Sequence, residues 1–278
     1  MNEDNYETLK ISLEIRGFGE ETIKSLKEAM TKGNEEIRLS ETFEDNGLTM
    51  QAEPVFNKHK EYDHYFFNRI DATLFQGDEI LAQSSVRASW MVKAEELMRM
   101  LTYGDKVAVY KKDIQNFERN KFNAYISVLP DRARDENGNT ILNSYHDNYY
   151  SKQPFDLREK LLARADQFPE INEGTVDKLV QQLQHAELVT LTGKSGDTEF
   201  EAIFGINAKK GDVHILDGNL EPLKLYIPKR VEEQSTPEAQ QSINETRQQD
   251  PAGEVKKKPW ENRPAVIRRP NQNKGISR

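Results

Sequence analysis

The sequence predicts an α+β fold whose strands come in antiparallel, hairpin-connected groups. Three patterns predict it. Apolar residues recur at helical spacing in several short windows, they alternate with polar ones over runs bounded by turn-forming residues, and the strand-like runs arrive in groups. One strand per helix would instead mark a parallel, doubly wound sheet.

In chain order, "NYETLKISLEIRGFGEETIKSLKEAMTKGNEE" reads as a helical hairpin. Leu9 and Leu13, then Ile23, Leu26 and Met30, recur at helical spacing, and Gly17 and Gly19 separate the two runs. From Ile37 the period becomes two, through Leu39, Leu48, Met50 and Val55, with "EDNG" at 44–47 as a hairpin turn. "YDHYFFNRIDATLF" continues as a strand, 76–79 turns, and "ILAQSSVRASW" returns, giving an antiparallel meander of about four strands. "MVKAEELMRMLTYGDKVAVY" goes back to helical spacing, with Val92, Leu97 and Leu101 on one face and Gly104 just past the end.

A second small α+β unit follows. Its strands are "KVAVYKK", "FNAYISVL" and "NTILNSY", its helices lie at 155–165 and 176–186, and "ELVTLTG", "TEFEAIFGI", "VHILDG" and "LKLYIP" close it. After Pro228 the chain turns to Pro, Gln, Asn, Ser and charged residues with few branched aliphatics, too little apolar surface to offset ordering entropy. The expected division is therefore 1–103 (hairpin, meander and helix), 104–228 (second unit) and a disordered basic tail over 229–278.

The 278 residues, 36% of them hydrophobic, suffice for one large or two small cores, while a mean hydropathy of -0.84 implies that part of the chain is never buried. No run approaches the roughly 18–20 apolar residues of a membrane span, and "MNEDNYETLK" is acidic where a secretory signal is basic then apolar. A soluble, cytoplasmic protein with no membrane contact is expected. Cys is absent, which excludes disulfides, thiolate metal sites and cysteine nucleophiles.

The net charge of -8 is unevenly spread. Residues 229–278 hold 11 Lys+Arg against 7 Asp+Glu, a net of +4, and the rest holds 28 against 40, a net of -12. Any polyanion should be met first by 256–278, where eight basic residues face one acidic one.

Motifs for chemistry are scarce. "LTGKSGDT" ends like a P-loop, but Leu188 stands where the motif needs its first Gly, and a strand follows where a helix must open, so it reads as a hairpin turn. The five His residues, His59, His64, His146, His185 and His214, form no pair at ligand spacing. Carboxylates alternate with Lys and Arg as on a solvated face, and GxSxG, HExxH and GxGxxG are missing. No catalytic residue, metal or cofactor is implied. The most site-like segment is "NSYHDNYYSKQPFDL", where His146, Asp147, Asn148 and Tyr149 form a candidate surface cluster on a loop before a helix. The competing reading has Tyr145, Tyr149 and Phe155 pinning that loop to the core.

"DHYFFNRIDATLF" raises the same choice. Strict alternation puts His64, Phe66, Asn68, Ile70, Ala72 and Leu74 on one core-like face, and Tyr65, Phe67, Arg69, Asp71, Thr73 and Phe75 on the other, with Arg69 and Asp71 as a same-face ion pair. The neighbouring "LSETFEDNGLTMQAEPVF" is acidic where a base-stacking platform would be rimmed by Lys and Arg. The stretch therefore reads as packing, with Phe66 and Ile70 in the core.

Taken together, "GFGEE" with "KEAMTKGNEEIRLS", "HYFFNRIDATL", "KAEELMRMLTYGDKVAVYK", "DENGNTILNSYHDNYYSKQPFDLREKL" and "VTLTGKSGDTEFEAIFGINAKKGDVHILDGNLEPL" resemble, in order over residues 5–228, an uncharacterised module of hypothetical proteins from conjugative transposons and related mobile elements of Bacteroidota. The chain departs from that pattern at "IQNFERNK", where the module has a Gly-rich turn. The resemblance brings no active-site residues. It implies a non-enzymatic accessory or protein-interaction factor of a mobile genetic element, with a protein partner. The alternative is a sequence-independent nucleic-acid-binding accessory protein, in which Lys256, Lys257, Lys258, Arg263, Arg268 and Arg269 contact phosphates and Trp260 stacks on a base. A hydrolase or transferase whose site is assembled from the "YHDNYY" loop at 145–150 is the third reading.

Overall fold

Two helices open the chain. In α1 (Glu3–Ile15) the Asn2 side chain accepts from the Asn5 N–H at 3.1 Å, Glu3 and Asp4 sit at the positive end of the helix, and Asn5, Tyr6, Leu9 and Leu13 form the buried stripe. α2 (Glu20–Lys32) buries Ile23, Leu26 and Met30 and ends at Gly33, whose φ of 74° suits a residue without Cβ. Its N-cap is Gly19, which has no side chain to cap with. The Glu41 carboxylate does so from outside, accepting from the Gly19 N–H at 2.9 and 3.0 Å and from Thr22 Oγ1 at 2.6 Å.

The expected helical hairpin and meander are both present in this computed structural model, which describes residues 1–115, 121–130, 133–150, 155–196 and 198–223. The basic tail with its candidate contacts Lys256, Lys257, Lys258, Trp260, Arg263, Arg268 and Arg269 lies outside the described residues, as does "LKLYIP" beyond Leu223. The meander is a five-stranded antiparallel sheet: β1 (Glu36–Arg38), β2 (Glu41–Asp45), β3 (Leu48–Lys58), β4 (Tyr65–Gln76) and β5 (Glu79–Arg87). β3, β4 and β5 are paired in sequence, while β1 and β2 pair with successive parts of β3. The β2–β3 turn has positive φ at both Asn46 (48°) and Gly47 (77°), the conformation an Asn-Gly pair adopts at least cost.

Strict alternation fails in β4. Val55 faces Arg69 and the next residue, Phe56, faces Phe67, so Asn68 is an extra residue on β4, a bulge. The bulge reverses the phase. Ile70, Ala72 and Leu74 are buried as expected, but before the bulge the core takes Tyr65 (1% exposed) and Phe67, and Phe66 is turned into solvent (48% exposed). The expectation of a buried Phe66 and an outward Tyr65 is therefore corrected.

α3 (Ala94–Tyr103) buries Leu97 and Leu101, with Val92 just before it, and stops at Gly104 (φ 65°). β6 (Val109–Gln115), β7 (Lys121–Val128) and β8 (Leu142–His146) form an antiparallel sheet in chain order. α4 (Leu157–Leu162) and α5 (Val176–Gln184) follow, and then β9 (Val189–Ser195), β10 (Thr198–Asn207) and β11 (Asp212–Leu216), ordered β11–β10–β9. The fold is α+β. "LTGKSGDT" belongs to the β9–β10 hairpin, and a Cβ on Gly193 would meet Phe200 and Phe168 at 2.4–2.8 Å, so this glycine makes room for aromatic packing.

The core has two parts that meet at the β6–β7–β8 sheet. Val107, Val109, Ala124, Ile126 and Val128 pack with the helical hairpin, the first sheet and α3, whereas the interleaved Ala108 and Tyr125 pack with α4, α5 and β9–β11. Alternation along one strand thus serves two cores, because both faces of this sheet are covered.

Candidate functional site

The first sheet buries one face and leaves the other polar. On the open face Asp71 is the hub, accepting from Arg69 Nε (3.0 and 3.1 Å), Arg38 (3.1 Å) and Ser85 Oγ (2.6 Å). Burial works to raise the Asp71 carboxyl, but the hydrogen bonds from Ser85, Arg69 and Arg38 outweigh it and hold it below the ordinary carboxylate range. The expected Arg69–Asp71 pair is real, and Arg38 extends it to β1.

At one end of this face the 59–64 loop and the start of β4 gather four rings. His59 lies 4.8 Å from Tyr62 and 6.0 Å from Phe66, and His64 lies 4.9 Å from Phe66, centroid to centroid. Tyr62 is 66% exposed, more than Phe66. The cluster is held from behind. His59 Nδ1 accepts from the backbone N–H groups of Glu61 (3.1 Å) and Tyr62 (3.3 Å), which leaves the ring hydrogen on Nε2. The His59 N–H bonds the His64 carbonyl at 2.7 Å, closing the loop. The Asn5 carboxamide takes both backbone groups of Tyr65, at 2.7 and 3.0 Å, as a neighbouring strand would, and Tyr65 Oη donates to the Asn34 carbonyl at 2.7 Å. A cleft of about 1190 Å³ opens beside the rings, lined among others by Met30, Glu35, Lys58, His59, Tyr62 and Asp63.

The 146–149 cluster is placed differently. His146 stacks on Phe122 at 4.0 Å, and Asp147 accepts from Asn123 Nδ2 (3.2 Å) and Tyr110 Oη (3.4 and 3.5 Å), so both are tied to the β6–β7 sheet. Asn148 and Tyr149 are exposed. Tyr145 and Phe155 pack inward as pins, but the third pin is Tyr150, whose hydroxyl donates to the Ala208 carbonyl at 2.5 Å, in place of the expected Tyr149.

A third constellation has no sequence signature. The buried Glu96 of α3 pairs with Lys111 Nζ of β6 (2.5 Å) and His185 Nδ1 at the end of α5 (2.8 Å), and accepts from the Lys93 N–H (2.9 Å). Burial works to raise the Glu96 carboxyl, but the Lys111 charge and these hydrogen bonds outweigh it and hold it below the usual range. Its partners are 15 and 89 residues away, which is why no local pattern announces it. Among the described residues no group of three or more His, Asp or Glu is placed to hold a metal ion.

Comparison with protein-family models, with curated proteins and with solved structures returns no match to this chain.

Proposed function

We propose that this chain is a non-enzymatic accessory factor that works by binding a protein partner through the His59–Tyr62–His64–Phe66 cluster and the adjoining polar sheet face. One observation carries the reading: two large rings are held in solvent by a fixed backbone. Leaving an apolar ring exposed forgoes about 1.5–3 kcal/mol of burial, and exposed aromatics on a rigid support are the usual anchors of an interface. The resemblance to mobile-element proteins adds a setting, the cytoplasm of a bacterium carrying such an element. No helix among the described residues is long and apolar enough to cross a membrane.

A variant carrying both Tyr62→Ser and Phe66→Ser should melt as the parent does while losing the partner that the parent co-purifies from its host. The same partner retained by the double variant, or no partner captured by the parent, overturns the reading. The uneven charge, +4 over 229–278 against -12 elsewhere, favours a second reading in which the chain also holds nucleic acid through 256–278.

A further inference from the structure

Arg16 follows the last residue of α1 and is only 2% exposed, yet no carboxylate among the described residues pairs with it. Nη1 donates to the Ser12 carbonyl and hydroxyl, both at 2.6 Å, and Nη2 to the Ala88 carbonyl at 2.6 Å and to Met91 Sδ at 2.9 Å. The guanidinium carbon lies 4.9 Å from the centre of the Phe67 ring, and Nε has no acceptor among the described residues. A buried cation is thus satisfied partly by a thioether, the weakest acceptor among side chains, with one donor left over. Burial lowers its pKa to about 10.

Met91 is unusual in its own right. Its φ of 56° lies in the left-handed region, costly for a residue with Cβ, and its N–H closes the turn onto the Ala88 carbonyl at 3.1 Å. It is 39% exposed, while Met30, Met50, Met98 and Met100 are buried; Met1 is the other exposed methionine.

We propose that Met91 is a site of oxidation by peroxide, with Arg16 as the built-in receiver of the sulfoxide oxygen. The sulfur lone pair attacks one peroxide oxygen, the S–O bond forms as the O–O bond breaks, and the other oxygen takes a proton and leaves as water or an alcohol. Sulfur is oxidised by two electrons and the peroxide reduced by two. In an apolar core the new dipole would be unpaired and would loosen packing. Beside Arg16 it puts a stronger acceptor where Nη2 now meets only the thioether sulfur. Methionine sulfoxide is reducible, so the modification is a reversible one that the fold accommodates.

Hydrogen peroxide treatment of the folded protein, followed by peptide mass mapping, should show one added oxygen on Met91 at a rate about tenfold or more above the four buried methionines. The oxidised protein should melt no lower than the untreated one, with treated Met91→Leu protein as the control for oxidation at Met1. Met91→Gln, whose amide oxygen stands in for the sulfoxide, should melt higher than Met91→Leu by about 2–4 °C. The proposal is overturned by an unmodified Met91 where Met1 reacts, by a lower melting point on Met91 oxidation, or by Met91→Leu melting as high as Met91→Gln.

Discussion

At the scale of the residue, one bulge decides what β4 shows to the core. Ile70→Ala should cost about 2–5 kcal/mol and Tyr65→Ala about 3–5 kcal/mol, because both side chains are fully enclosed. Phe66→Ala should change stability by about 0.5 kcal/mol or less. Urea unfolding of the three variants checks this, and a Phe66 variant as unstable as the Ile70 one would put Phe66 back in the core. From Ile70 to Leu74 the inward positions are legible in the sequence, since a strand alternates by geometry. Before Ile70 they are not, because the extra residue at Asn68 exists only relative to β3. An aromatic run such as "HYFFN" looks the same whichever ring faces water.

At the scale of the element, the helices were readable but what fastens them was not. Glu96 clamps α3 to β6 and to the end of α5, so removing it strands Lys111 beside an unpaired buried site. Glu96→Gln should cost about 3–5 kcal/mol at neutral pH. Its pH dependence has a definite sign. The folded carboxyl lies below its unfolded value, so the stability it contributes is present above the ordinary carboxylate pKa of about 4.3 and is lost as pH falls through the lowered folded one. The parent should therefore lose stability more steeply than Glu96→Gln on acidification below about pH 5. Parallel acid limbs in chemical unfolding would show that Glu96 is not charged and paired. Glu41 fastens α2 in a similar way, and Glu41→Ala should cost about 0.5–2 kcal/mol, as loss of a helix cap does, measured by the same unfolding curves. Neither partner could be named in advance. Apolar spacing is written along a helix, whereas a cap borrowed from β2 or a partner 89 residues away is written only in the fold.

At the scale of the whole molecule, the antiparallel, hairpin-connected architecture was legible because each hairpin is a local event, and the charge partition because it needs only a count. The candidate cluster at 146–149 is marked by its composition, while the exposed rings at 59–66 emerge only once the bulge is known. The charge partition makes the last prediction. With eight basic residues against one acidic one over 256–278, attached to a chain of net -12 elsewhere, any affinity for nucleic acid should reside in those residues and be independent of sequence. Eight cations neutralise up to eight phosphates, and with the acidic remainder opposing contact about half that number is realistic, so log K should fall against log salt with a slope of about -3 to -4. The full chain and a version ending at Pro228 are compared on single-stranded and duplex DNA at three salt concentrations. The shortened version should show no binding at any of them. Equal affinity of the two, or a slope near zero, removes the nucleic-acid reading and leaves binding to the ring cluster of the first sheet, which this truncation does not touch.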